Sequence, residues 1–80
     1  MRSDERLTRQ VGQALRRLRK ERRLLAKQVA SRADITRSML SRYELGWRCP
    51  SLPNLVKILQ VLDCSAEEFA GHLGPWGCLP

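Results

Sequence analysis

Helix-start and helix-stop signals recur so closely along this chain that no regular element after the first can run far. Thr36 and Ser51 each stand just before an apolar-periodic run, as N-caps do. Ser65-x-x-Glu68 has the spacing of a capping box, in which hydroxyl and carboxylate satisfy two backbone donors reciprocally. Gly46 and Gly74-Pro75 follow runs as terminators. Between these marks the apolar residues recur every three or four positions and nowhere alternate as a strand requires. The pattern predicts an all-α fold of five short helices. With 80 residues there is room for one domain, and a chain of that size buries only about 60–65% of its unfolded surface.

The first helix is expected over 4–22, capped by Ser3 or Thr8. Leu7, Val11, Ala14, Leu15 and Leu18 form one apolar stripe, with Arg9, Arg16, Lys20 and Arg23 opposite it. Arg19 falls at the edge of the stripe, where a guanidinium needs a partner. Two segments of about eight residues follow, 26–33 and 37–45, separated by Asp34 and Ile35. In the fourth helix Leu52, Leu55, Val56, Ile58, Leu59 and Leu62 spread over about 160°, which predicts an element packed on two sides. The fifth runs from Ser65 to about His72. Leu15, Leu18, Val29, Ile35, Leu40, Leu55, Leu59 and Leu62 are the expected core.

Charge points to a partner class. The net charge is +7, and it is divided unevenly: residues 1–48 hold 14 basic and five acidic residues, residues 49–80 one and three. A small domain with one strongly basic half fits a polyanion, nucleic acid before anionic membrane. The outward basic side of the first helix, taken alone, reads as a solvated face, with a DNA track as its alternative. No apolar run nears the roughly 20 residues of a membrane span, and the basic N-terminal stretch lacks the apolar run of a signal peptide, so an intracellular, cytoplasmic protein is expected.

Catalysis and metal binding find little support. Cys49, Cys64 and Cys78 form no CxxC, and His72 does not complete a zinc ligand set with them. An odd number of cysteines argues against a disulfide framework. Cys64 is expected in the core and Cys49 and Cys78 as reduced thiols. No nucleophile stands with a base, so neither an enzyme nor a cofactor site is expected.

Two eight-residue helices joined by a tight turn make a helix-turn-helix, here at about 26–45. Ala30 allows the two to cross closely, Ile35 fills the turn, and Val29, Ala33, Leu40 and Tyr43 hold the pair to the rest. Thr36, Arg37, Ser38, Ser41 and Arg42 are left facing outward. The stretches V11-G-Q-A-L-R-R-L-R-K, L24-L-A-K-Q-V-A, I35-T-R-S-M-L-S-R-Y-E-L-G and P50-S-L-P-N-L resemble the Cro/phage-repressor-type, or XRE-type, helix-turn-helix family over about residues 8–70. The resemblance implies a five-helix, lambda-repressor-like domain that binds double-stranded DNA, is usually dimeric on two-fold-related half-sites, and controls transcription. It implies DNA contact by Thr36, Arg37, Ser38, Ser41 and Arg42, with Trp47 and Arg48 just beyond, and an internal ion pair between Arg19 and Glu44.

This chain also departs from the family pattern. Leu25 and Ala26 stand where a hydroxyl cap and Gln are usual, Asp34 replaces the turn glycine, and Trp47 replaces a basic residue. The domain is expected over 1–74, with 75–80 an irregular tail. A two-fold dimer is expected through the fifth helix and the tail, using Phe69, Leu73 and Trp76. The competing expectation is a protein-interaction module on the same scaffold, with Leu25, Trp47 and the tail as its apolar contact.

Overall fold

The structure, a computed structural model, describes residues 2–73. It contains α1 (Arg2–Glu21), α2 (Ala26–Arg32), α3 (Arg37–Glu44), α4 (Leu52–Val61) and α5 (Ala66–His72), with no strand among the described residues. Helix α1 begins before Ser3 and runs through Thr8, so neither residue is the N-cap that the sequence suggested. Trp76, Cys78 and the rest of the expected tail lie outside the described residues, as does Gly74.

One joint connects three pairs of helices. Arg23, Asp34 and Asp63 each adopt positive φ, at 57°, 59° and 53°. Each sits one residue past the helix cap in a Schellman arrangement, where two successive N–H groups close back onto the last turn. For α2, Asp34 N–H donates to the Ser31 carbonyl and Ile35 N–H to the Ala30 carbonyl, at 3.2 and 3.0 Å. The same pairs recur as Arg23 to Lys20 and Leu24 to Arg19, and as Asp63 to Gln60 and Cys64 to Leu59. The next residue, Leu24, Ile35 or Cys64, turns inward onto the core, and the one after it is the N-cap of the following helix. Asp tolerates the left-handed conformation because its short side chain bonds locally; Arg23 carries a larger steric cost there.

The caps follow the sequence signals at three of four starts. Thr36 Oγ1 accepts from Met39 N–H at 3.0 Å, Ser51 Oγ from Asn54 N–H at 3.3 Å, and Ser65 Oγ from Glu68 N–H at 3.1 Å. Glu68 Oε1 in turn accepts from Ser65 N–H, completing the capping box. The N-cap of α2 is Leu25, whose side chain has no acceptor. Half a box survives there, since Gln28 Oε1 accepts from Leu25 N–H at 2.8 Å.

The core gathers Val11, Ala14, Leu15 and Leu18 of α1, Val29 and Ala30 of α2 with Ala33 just beyond it, Leu40 and Tyr43 of α3, Ile58 and Leu59 of α4, and Leu62, Cys64 and Phe69. Ile35 and Leu55, expected to be buried, are only partly so and pack at its margin. Helix α4 is not enclosed on two sides. Leu52 is 73% exposed and Val56 is also exposed, so its wide apolar arc exceeds what the described residues cover. Phe69, in contrast, is buried in the chain's own core.

Three contacts fix how the helices sit against one another. Gly12 is buried in mid-helix, where glycine costs about 1 kcal/mol relative to alanine. A Cβ at Gly12 would run into the Tyr43 carbonyl oxygen and lie 2.9 Å from that of Glu44, so only glycine lets α1 lie on the end of α3. Arg22 ties the other end of α1 to the α4–α5 joint, its Nε donating to the Leu62 carbonyl at 2.8 Å. Tyr43 Oη accepts from Asn54 Nδ2 at 2.9 Å, fastening α3 to α4.

Two outcomes are expected. Gly12→Ala should cost about 3 kcal/mol in urea unfolding, the upper range for overpacking, because backbone atoms block the new methyl group. Burial pushes the Cys64 thiol above its ordinary pKa; Glu68 and Asp63 push the same way and Arg22 opposes them. The fold's preference for the neutral thiol leaves stability intact at neutral pH and erodes it as pH rises through the thiol range. Peptide mapping after alkylation of the native protein should therefore find exposed Cys49 modified and Cys64 protected until unfolding.

Candidate nucleic-acid interface

The candidate interface is built on α3. Its inward residues, Leu40 and Tyr43, are buried, which turns Arg37, Ser38, Ser41 and Arg42 to solvent. These four line one open trough with Leu45 and Trp47. A second trough, holding Arg19, Leu25, Ala26 and Lys27, meets the first at Arg37. Thus the start of α2 and the loop after α3 flank the exposed side of the same short helix. No acidic residue lines either trough.

Glu44 is the only acid of α3, and it faces away from the troughs toward α1. Arg19 Nε and Nη2 donate to its two carboxylate oxygens at 2.7 and 3.0 Å, a bidentate fork. Nη1 donates to the Leu24 carbonyl at 3.0 Å, so each guanidinium nitrogen has a partner. The side chains are 14% and 9% exposed. This pairing leaves Arg37 and Arg42 as the charged side chains of α3 in the troughs, with no acid beside them.

Thr36 is exposed at the N-cap. Its oxygen is engaged with Met39 N–H, while its hydroxyl hydrogen stays available to an outside acceptor. Trp47 holds the position that Leu24, Ile35 and Cys64 hold at the other joints, its N–H donating to the Arg42 carbonyl at 2.9 Å. Those three side chains turn inward; Trp47 is 75% exposed. Gly46, with φ of 77°, makes this turn while its α-carbon lies against Arg9, where a Cβ would stand 2.9 Å from the Arg9 Cγ. Arg48 is exposed in the same loop.

The structure therefore brings Arg37, Ser38, Ser41, Arg42 and Trp47 together, with Thr36 and Arg48 at the margins, and holds Arg19 with Glu44 behind them. Sequence reasoning missed Lys27 and Leu45. The signal for Lys27 was available, as a cation in the first turn of a helix that opens beside Arg37. Leu45 gave none, since a leucine closing an amphipathic helix reads as core.

No helix among the described residues is long and apolar enough to cross a membrane. No group of three or more His, Cys, Asp or Glu among them could hold a metal ion. None of the curated proteins matches the chain. A family model described as helix-turn-helix matches residues 15–69, from the middle of α1 into α5, and so takes in both troughs and the fork behind them. That match covers more than half of the chain: it belongs to the XRE-type helix-turn-helix family of DNA-binding regulators.

Proposed function

We propose that this chain is a sequence-specific regulator of transcription that reads its site by placing α3 in the major groove. The observation that carries the reading is the acid-free trough along α3, with two guanidinium groups and two hydroxyls on its exposed side. Arg37 and Arg42 suit guanine, whose O6 and N7 accept a bidentate pair, while Ser38, Ser41 and Thr36 suit phosphates or less selective base contact. Arg37 stands in the first turn of α3, where the helix dipole disfavours a cation. An anionic backbone or a guanine edge relieves that cost, and no neighbouring outward residue is acidic. Trp47 offers its indole N–H to a phosphate, and Arg48 a full charge. Arg19 and Glu44 act from behind as the support that orients α3.

The active form in this reading is a homodimer on an inverted repeat, paired through α5 and the residues beyond it. Two-fold symmetry would then set the recognition helices about 34 Å apart, one turn of DNA. With Phe69 buried in the chain's own core, the apolar groups among the described residues left for such a partner are Leu73 and, on α4, Leu52 and Val56. Occlusion of a promoter or contact with polymerase would follow from where the site lies.

A second reading has its own support. Leu25, Leu45 and Trp47 are exposed apolar side chains around α3, a composition that also fits docking of another protein. Salt separates the two: phosphate contacts weaken steeply with ionic strength, whereas an apolar interface does not.

The test uses operator and random duplexes side by side. Arg37→Ala should cost about 1–3 kcal/mol on the preferred site and relax preference at one base pair. Arg48→Ala should weaken binding to both duplexes alike and lower the salt slope by about one contact. If Arg37→Ala binds both duplexes as the parent does, α3 does not read the bases.

A further inference from the structure

The α3 troughs leave the longest row of charge in the molecule unused. Arg6, Arg9, Arg16, Arg17 and Lys20 fall within about 100° of the surface of α1 at 100° per residue, directly opposite its buried stripe. All five are exposed, and Arg6 to Lys20 spans about 21 Å at 1.5 Å per residue. Arg23, placed on this side by the sequence, leaves it because its left-handed backbone ends the helix.

A face kept only for solubility mixes both signs. Here Glu5 and Arg9, and Arg17 and Glu21, have the i,i+4 spacing that lets a helix pair its charges. Neither pair forms. Among the described residues the ion pairs are Arg19 with Glu44 and Arg22 with Glu21, and none involves the five. Arg16 and Lys20, and Arg17 and Lys20, instead repel along the helix at one-turn spacing. An anion lying across them would remove that repulsion.

The composition of the row selects the anion. An interfacial membrane helix needs an exposed apolar side, and α1 has put its own into the core. The large exposed apolar residues among those described, Leu25, Leu45, Trp47, Leu52 and Val56, all lie outside α1. A protein interface needs an apolar or aromatic anchor, and Arg16, Arg17 and Lys20 share no pocket with one; Trp47 lies only beside Arg9. A phosphodiester backbone needs only repeated charge. At its first turns the row comes beside the α3 trough, Arg9 lying against Gly46 and sharing a pocket with Trp47, whereas Arg16, Arg17 and Lys20 line neither trough.

From this we infer that the outward face of α1 is a second, sequence-independent contact for the phosphate backbone of duplex DNA, separate from the α3 trough. The inference rests on the DNA-binding reading above. It gives the protein a way to hold duplex when no base is being read.

A 30-base-pair random duplex is titrated over a range of salt concentrations with the full chain and four variants. Arg37→Ala/Arg42→Ala should still bind, with most of the parent's salt slope. Arg16→Gln/Arg17→Gln/Lys20→Gln should lower the log–log slope by about 2.7, at about 0.9 per lost phosphate contact. Lys57→Glu/Gln60→Glu removes the same net charge from α4 and should leave the slope near the parent's. Arg16→Lys/Arg17→Lys keeps the charges and should keep the slope; thermal melts confirm that each variant is folded. An unchanged slope in the glutamine variant overturns the inference. So does an equal fall in the α4 variant, or loss of all duplex binding in the trough variant. A parent that binds no duplex at all would bring down the DNA-binding reading itself, which the other failures leave standing.

Discussion

The placement of α3 against α1 rests on the fork between Arg19 and Glu44. Partly buried charges cost free energy to remove from water, and that cost is offset only when geometry is close and the remaining donors are satisfied. Here two guanidinium nitrogens meet two carboxylate oxygens, and the third meets the Leu24 carbonyl in the α1–α2 joint. One side chain thus joins the first helix, the first joint and the last turn of α3. The fork also directs the single acid of α3 inward, so stability and the electrostatics of the outer face share a cause.

Gly12 makes that fork reachable. It lies seven residues before Arg19, two turns along the same side of α1, and its missing side chain lets the helix settle onto the Tyr43 and Glu44 carbonyls. The repeated three-residue joint does the rest by fixing where each helix stops and which residue turns inward. Trp47 shows what happens when the joint is used differently. After α3 the chain enters a loop instead of the next N-cap, and the residue that would fill the core is presented beside Arg42.

Much of this was legible in residue order. Cap signals at Thr36, Ser51 and Ser65 placed three helix starts, because those hydroxyls satisfy local donors whatever the tertiary fold. Arg19 stood out as a charge at the edge of an apolar stripe, and the family resemblance supplied Glu44 as its partner. Asp34 could be read as a left-handed turn residue; Arg23 could not, since nothing local favours arginine there. Gly12 and Arg22 were hidden for a different reason: their roles depend on carbonyls 30 to 40 residues away. The arc of α4 misled, because periodicity counts apolar residues and does not say whether the rest of the chain covers them.

The central claim is that the fork holds α3 against α1, and a double-mutant cycle tests it most directly. Arg19→Met, Glu44→Gln and the double variant are unfolded in urea beside the parent. Either single change strands a partly buried group and should cost about 3 kcal/mol, whereas the double variant should lose less than either. A double variant whose loss equals the sum of the single losses would contradict the account, for it would mean that the two side chains act independently.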